Sequence, residues 1–316
     1  MYAIALNDVQ NAARRIVPFA RRTPIVTCAT LDRLAGRSLF FKCEQWQKVG
    51  AFKFRGACNA VLNLADTDAK KGVVTHSSGN HAQAVALAAK LRDIPAHIVM
   101  PRSATPVKRR AVEDYGATVI ECEPTLQARE LTVAMVQERT GAILIPPYNH
   151  PDVMAGQGTI ALEMLEEIPD LDAIVAPIGG GGLMAGLTIA AKALKPAIRL
   201  FAAEPLGADD AARSKVTGEL ILQTAPRTIA DGLLTSMGDM TWPVVRDLVE
   251  AVVTVTEDEI VQAMRLTWER AKLLIEPSSA VAVAAVMATA FRSLPGMRKI
   301  GIVLSGGNVN LDQLPW

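Results

Sequence analysis

Cysteine is scarce in this chain. There are four in 316 residues, Cys28, Cys43, Cys58 and Cys122, with no CxxC spacing and no paired pattern. A disulfide framework or a zinc site is therefore a poor reading, and a reducing cytoplasmic setting is expected. An excess of one charge is also missing. Lys and Arg number 33 against 32 Asp and Glu, with no basic stripe or acidic tail, so neither nucleic acid nor a membrane surface is an expected partner. Long apolar runs are lacking too. "AVAVAAVMATAF" is too short and alanine-rich to span a bilayer. The opening "MYAIALNDVQNAARRIVPF" does not read as a signal peptide, because no basic start leads into an apolar core. No internal repeat stands out. What remains, 50% hydrophobic and 21% charged, suits a soluble α/β protein of one large domain or two modest ones.

Strand-like and helix-like segments alternate along the chain. "SLFFKCE", "GVVTHSS", "PAHIVMP", "ATVIECE", "AILIPP", "DAIVAPIG", "RLFAAEP" and "KIGIVLSGG" read as strands. Between them "FRGACNAVLNLA", "GNHAQAVALAAKLRD", "GQGTIALEMLEEI" and "LMAGLTIAAKAL" have helical spacing. Buried strands alternating with helices imply parallel sheets covered on both faces. Pro146-Pro147 and the following "YNHPD" mark a break. The expected division is a small α/β domain over 70–146, flanked by a larger discontinuous one over 1–69 and 147–316. A ligand is expected in the cleft between them.

Three turns after strands carry unusual residues. "PIGGGGLMAG" places four glycines before a helix, a cradle for phosphate. A plain tight turn would need only one or two glycines. No Gly-Lys-Ser/Thr follows, so this is not a P-loop. Gly180, Gly182 and Ala185 also fit the dinucleotide pattern, with Glu204 at the required distance, which leaves an NAD-dependent oxidoreductase open. "THSSGNHAQ" crowds polar groups, including His76 and His81, at a helix start. Ser77 or Ser78 would serve as a plain helix cap, or the run would receive a carboxylate. "IVLSGGNVN" offers Ser305 after a strand.

Lys53 sits in "GAFKFRG" between two phenylalanines. Aromatic neighbours can desolvate an amine and free it from its proton. A free amine together with a phosphate cradle suggests pyridoxal phosphate held as a Schiff base. Lys42 and Lys48 read as ordinary lysines.

The motifs "KVGAFKFRGA", "THSSGNHAQ", "AGQGT", "GGGGL", "AAEP", "TIADG", "LIEPS" and "LSGGN" occur in order over nearly the whole chain. In them the chain resembles the fold-type II pyridoxal-phosphate enzymes, the family of serine racemase, threonine dehydratase and threo-3-hydroxyaspartate dehydratase, with serine racemase the nearest. The resemblance implies two α/β domains with the cofactor in the cleft. It implies that Lys53 forms the Schiff base and exchanges the α-proton. Phe52 would pack on the ring and Asn80 would bond its phenolic oxygen. Gly179, Gly180, Gly181, Gly182 and Leu183 would hold the phosphate, and Gly232 would complete the cofactor site. Ser305 would face the ring nitrogen. Ser77, Asn80 and His81 would receive the substrate carboxylate, while Arg129 and Thr235 would meet its far end. Ser78 would be the second acid/base, which racemisation requires.

The resemblance further implies a structural metal site at Glu204, the carbonyl of Ala208, and Asp210, suited to Mg2+ or to Ca2+ or Mn2+. It also implies a homodimer. "PPYNHPDV" is expected to bring Tyr148 and His150 close to the pocket. The expected main activity is dehydration of a β-hydroxy-α-amino acid such as threo-3-hydroxyaspartate, serine or threonine to a keto acid and ammonia. Serine racemisation is the alternative. A non-catalytic protein on the same fold is disfavoured by the intact Lys53, Ser78 and Asn80.

Overall fold

Ten strands form two sheets in the computed structural model, which describes residues 2–104 and 106–316. The larger sheet runs in the order β1 (Ile25–Val26), β2 (Ser38–Cys43), β10 (Lys299–Leu304), β7 (Ala173–Pro177), β8 (Arg199–Pro205) and β9 (Ala251–Val255). All its neighbours are parallel except β1, which pairs antiparallel with β2. The smaller sheet is parallel, in the order β5 (Thr118–Cys122), β4 (Ala96–Pro101), β3 (Val73–His76) and β6 (Ile143–Leu144). Helices cover both faces, which is why β7 and most of β8 and β10 read as unbroken apolar runs.

Two elements carried no strong signal. The helix Leu6–Ile16 buries only Val9, Ala12 and Ile16, at helical spacing, among many polar residues. β9 is an edge strand whose first four residues are only half-buried.

The helix Lys53–Asn63 lies in the segment expected to belong with the larger sheet. Its Phe54, Ala57, Ala60 and Val61 nevertheless pack with Val73, Val85 and Ile98 of the smaller sheet's layer. The element that carries Lys53 therefore spans the junction between the two sheets.

Helix crossings are made close by glycine. The spacer helix, Pro151–Glu167, contains "AGQGT". A Cβ on Gly156 would lie 2.6 Å from the Arg55 carbonyl oxygen and the Gly56 Cα, so this face touches the backbone of the Lys53 helix. A Cβ on Gly158 would lie 2.7 Å from the Gly186 carbonyl oxygen. Gly186 belongs to the glycine-loop helix, Gly182–Leu194. One helix thus separates the two elements that bear the candidate amine and the candidate phosphate cradle. Side chains at either crossing would push them apart.

Candidate active site

The turn before Lys53 is stitched to the turn after β10. The Phe52 N–H donates to the Ser305 carbonyl at 3.0 Å, the Gly307 N–H donates to the Gly50 carbonyl at 3.0 Å, and Ala51 bridges Gly306. Two motifs more than 250 positions apart thereby form one wall. Lys53 is the first residue of its helix, and its Nζ donates to the Pro147 carbonyl at 2.8 Å. The ammonium lies 5.2 Å from the Phe52 ring centroid. Burial pushes the Lys53 amine down to about 8, with Glu276 pulling the other way. The positive end of the helix it begins acts in the same direction as burial. This amine carries a usable neutral fraction near physiological pH.

The glycine loop follows β7. Gly181 has φ 82°, a left-handed conformation that favours glycine, and it caps a helix with no side-chain cap. All four glycines are hemmed in. A Cβ would meet the Leu233 Cα at 3.0 Å from Gly179, the Tyr148 ring at 2.2 Å from Gly180, the Thr241 hydroxyl at 2.8 Å from Gly181 and the Tyr148 Cβ at 2.8 Å from Gly182. Close packing alone therefore accounts for four glycines, against the expectation that a tight turn needs one or two. The uncapped N–H groups at the helix start, including Leu183, remain an anion cradle by geometry and dipole.

Asn80 begins the helix Asn80–Arg92, whose start is capped by no side chain. Contrary to the serine-cap expectation, the cap position is Gly79. The Ser77 hydroxyl instead accepts from the Gly79 N–H at 3.3 Å, and Ser78 is half-buried in the turn. The Asn80 amide is held on both sides: Oδ1 accepts from Asn308 Nδ2 at 2.8 Å, and Nδ2 donates to Glu276 Oε1 at 2.9 Å. Asn308 also donates through its backbone N–H to Glu276 Oε2 and through its side chain to the Val49 carbonyl. Burial, with help from Asp231, pushes Glu276 up to about 8, against these N–H donors. Glu276 and Asn308 lay inside the quoted motifs "LIEPS" and "LSGGN", but their pairing with Asn80 depends on contacts across about 200 positions.

His81 is buried. Its Nε2 faces the Ile145 carbonyl at 2.9 Å, and burial, followed by the Lys53 charge, pushes it down to about 3. A neutral ring so engaged leaves the backbone N–H as the group His81 can offer a carboxylate. Arg129 is half-buried, with Nε unpartnered among the described residues, close enough to His76 to help lower that imidazole after burial does so. Thr235 is exposed and hydrogen-bonds the Tyr148 hydroxyl, whose titration burial pushes up. The Gly232 N–H donates to the Ser278 hydroxyl at 2.9 Å. His150 serves as a helix cap. Its Nδ1 accepts from the Asp152 N–H at 3.2 Å and caps the spacer helix.

Lys42 also departs from expectation. It is fully buried, and its Nζ donates to Glu163 Oε2 and to the Thr23 carbonyl, both at 2.5 Å.

Glu204 ends β8. Its two oxygens accept from the N–H groups of Ala211 and Ala212 at 3.0 and 2.9 Å. Asp210 Oδ2 is buried without a hydrogen-bond partner among the described residues. Burial pushes Glu204 up to about 8, with Asp210 and Asp209 adding to it, and pushes Asp210 up to about 6. Glu204 and Asp210 lie close enough for the charge of one to raise the other, and two such carboxyls would suit a hard divalent cation. Among the described residues no group of three or more His, Cys, Asp or Glu could hold a metal, and no helix is long and apolar enough to cross a membrane.

Comparison with known proteins places the chain in one family. Residues 16–306 match the family described as pyridoxal-phosphate dependent enzyme. Serine racemase of Arabidopsis thaliana is 55% identical over 99% of this chain and 96% of its own length. Serine racemase of Homo sapiens is 50% identical over 100% of this chain and 94% of its own. The structure of maize serine racemase superposes with a TM-score of 0.97 at 50% identity, covering 98% of this chain and 95% of that one. These matches overturn the expectation that dehydration is the main activity, since the serine racemases match at 50–55% identity against 42% for a threonine deaminase structure of equal coverage. They also place the chain among pyridoxal-phosphate enzymes, in place of the NAD reading.

Proposed function

The chain belongs to the pyridoxal-phosphate dependent enzymes, and we propose that within this family it is a serine racemase interconverting L- and D-serine. The observation that carries this reading is the 55% identity to Arabidopsis serine racemase along almost the whole chain. Presence of both Lys53 and Ser78 supports it.

The site fits the cofactor on three counts. Lys53 is a half-buried amine that, among the described residues, hydrogen-bonds a carbonyl, and it is pushed down to about 8. The glycine-loop helix start is uncapped. Asn80 is held with one side-chain N–H on Glu276 and a second to spare. Pyridoxal phosphate, when bound, supplies an electron sink that makes the α-proton of an amino acid removable. The N–H groups of Gly179 to Leu183 hold its phosphate, and Phe52, Asn80, Gly232 and Ser305 hold the ring. The start of the Asn80 helix takes the serine carboxylate through Ser77, Asn80 and the His81 N–H. Arg129 and Thr235 stand at the side-chain end of the substrate.

Racemisation needs two proton carriers working from opposite faces. Lys53 in its neutral form removes the α-proton of one enantiomer, and the Ser78 hydroxyl returns a proton from the other side. The roles exchange in the reverse direction. Glu204, Ala208 and Asp210 hold Mg2+, or Ca2+ or Mn2+, as a structural ion beside the glycine-loop strand. A homodimer and a cytoplasmic setting complete the proposal, the latter supported by four free cysteines. Chiral separation of the products from L-serine and from D-serine tests it. Keto acid and ammonia as the only products from both would remove it.

A further inference from the structure

A closed set of charges lies under the Lys53 helix and has no part in binding or proton transfer. Arg55, two residues after Lys53, is 1% exposed. Its Nε and Nη2 donate to Glu44 Oε2 and Oε1 at 2.8 and 2.9 Å, and its Nη1 and Nη2 donate to Glu163 Oε1 and Oε2 at 2.6 and 2.8 Å. Nη1 also reaches the Thr159 hydroxyl at 3.1 Å. Lys42 joins through Glu163. Thr23 closes the set, its hydroxyl donating to Glu44 Oε1 and its carbonyl accepting from Lys42. Two cations balance two anions. Burial works against the charge on Glu163, yet Arg55 and Lys42 hold its carboxyl below the ordinary range.

Such a set is a poor device for net stability. Desolvation offsets most of the Coulomb gain, and apolar replacements of similar volume are often neutral or stabilising. What it offers is fixed geometry, because a guanidinium forked onto two carboxylates has little rotational freedom. Two residues along an α-helix turn the side chain by about 200°. Lys53 and Arg55 therefore leave the helix on nearly opposite sides. Holding Arg55 in the core fixes how far the helix is rotated, and so where the Lys53 stem emerges. The Gly56–Gly156 contact fixes the distance to the spacer helix, whose other face abuts the glycine-loop helix.

We infer that Arg55 is a positioning residue for Lys53, acting through its double fork onto Glu44 and Glu163. The inference rests on the family's use of Lys53, and it survives if the substrate is not serine.

The test uses the full chain freed of cofactor and measures how fast it captures added pyridoxal phosphate, by absorbance, across pH. Two variants are compared with wild type: Arg55→Lys, which keeps the charge and loses the fork, and an apolar replacement of the quartet, Lys42→Met with Glu44→Leu, Arg55→Met and Glu163→Leu. A displacement of about 1 Å can cost about 100-fold. Both variants are expected to capture about 10- to 100-fold more slowly, and the midpoint of the pH profile should rise from about 8 towards the ordinary lysine range. The apolar variant should melt no lower than wild type. Unchanged capture and an unchanged profile in either folded variant would overturn the inference and leave the quartet a packing feature. If capture slows as expected but wild type does not racemise serine, the positioning role stands and the racemase reading falls.

Discussion

Lys53 and Pro147 are joined by a 2.8 Å hydrogen bond from Nζ to the carbonyl oxygen. The next residue, Tyr148, lies against Gly180 and Gly182 of the cradle. A single dipeptide thus ties the amine to the glycine loop. A carbonyl partner orients the amine without supplying the negative charge that would hold its proton. Burial therefore wins, and the amine is pushed down to about 8.

The folded pKa of Lys53 lies below that of an exposed lysine, so between about pH 8 and 10.5 the folded chain binds fewer protons than the unfolded one. Its contribution to stability rises across that window and is unfavourable below it. Lys53→Met should therefore melt higher than cofactor-free wild type at pH 7, with the difference shrinking towards pH 10. The same variant should retain no pyridoxal phosphate after borohydride treatment and desalting. Trapped cofactor on the variant would show that another lysine carries it.

Ser78→Ala should reduce racemisation by about 100- to 10,000-fold, the usual worth of a positioned acid/base. Some elimination from L-serine should persist, since Lys53 remains. The measurement is D-serine and pyruvate from the same incubation. Equal loss of both products would show that Ser78 does not act on one face alone.

Chelation should destabilise the protein. Glu204 and Asp210 are both raised by burial, to about 8 and about 6, so without an ion the folded state binds extra protons between their unfolded values and these. Metal-free stability from these two groups should fall as pH rises from about 5 to 8, while bound cation cancels that loss. EDTA should then lower the melting temperature more at pH 8 than at pH 6, with Mg2+ or Ca2+ restoring it. Glu204→Gln should melt nearly as the chelated protein does and ignore added metal. An EDTA effect absent at both pH values would remove the ion.

Gly180→Ala would set a Cβ 2.2 Å from the Tyr148 ring, closer than real contacts allow. Tyr148 must move, at about 1–3 kcal/mol for overpacking. Because Pro147 precedes Tyr148, the Lys53 contact should move with it. Cofactor affinity should fall, by equilibrium dialysis, with the helical circular dichroism spectrum unchanged. Wild-type affinity would show that the cradle and the amine are independent.

Most of the architecture was legible because it rests on local signals. Fully buried parallel strands are unbroken apolar runs, and turns before ligand sites carry glycine, serine and asparagine. The glycines of "GGGGL" were visible, but their crowding by Tyr148, Leu233 and Thr241 was not, since it arises between segments far apart in sequence. Lys42 looked ordinary because its partner Glu163 is 121 positions away. The role of His150 as a helix cap was hidden by its place beside a pocket-forming stretch. Chemistry was legible down to the cofactor. The choice between elimination and racemisation was not, because the proposed Lys53 and Ser78 would serve both, and only the higher identity to racemases separated them.

The most direct measurement incubates the holoenzyme with L-serine in D2O and analyses the serine by chiral chromatography with mass spectrometry. Racemisation through Lys53 and Ser78 predicts D-serine carrying one deuterium at the α-carbon, its amount approaching that of L-serine, and the mirror result from D-serine. Keto acid and ammonia accumulating while all remaining serine stays L would contradict the account.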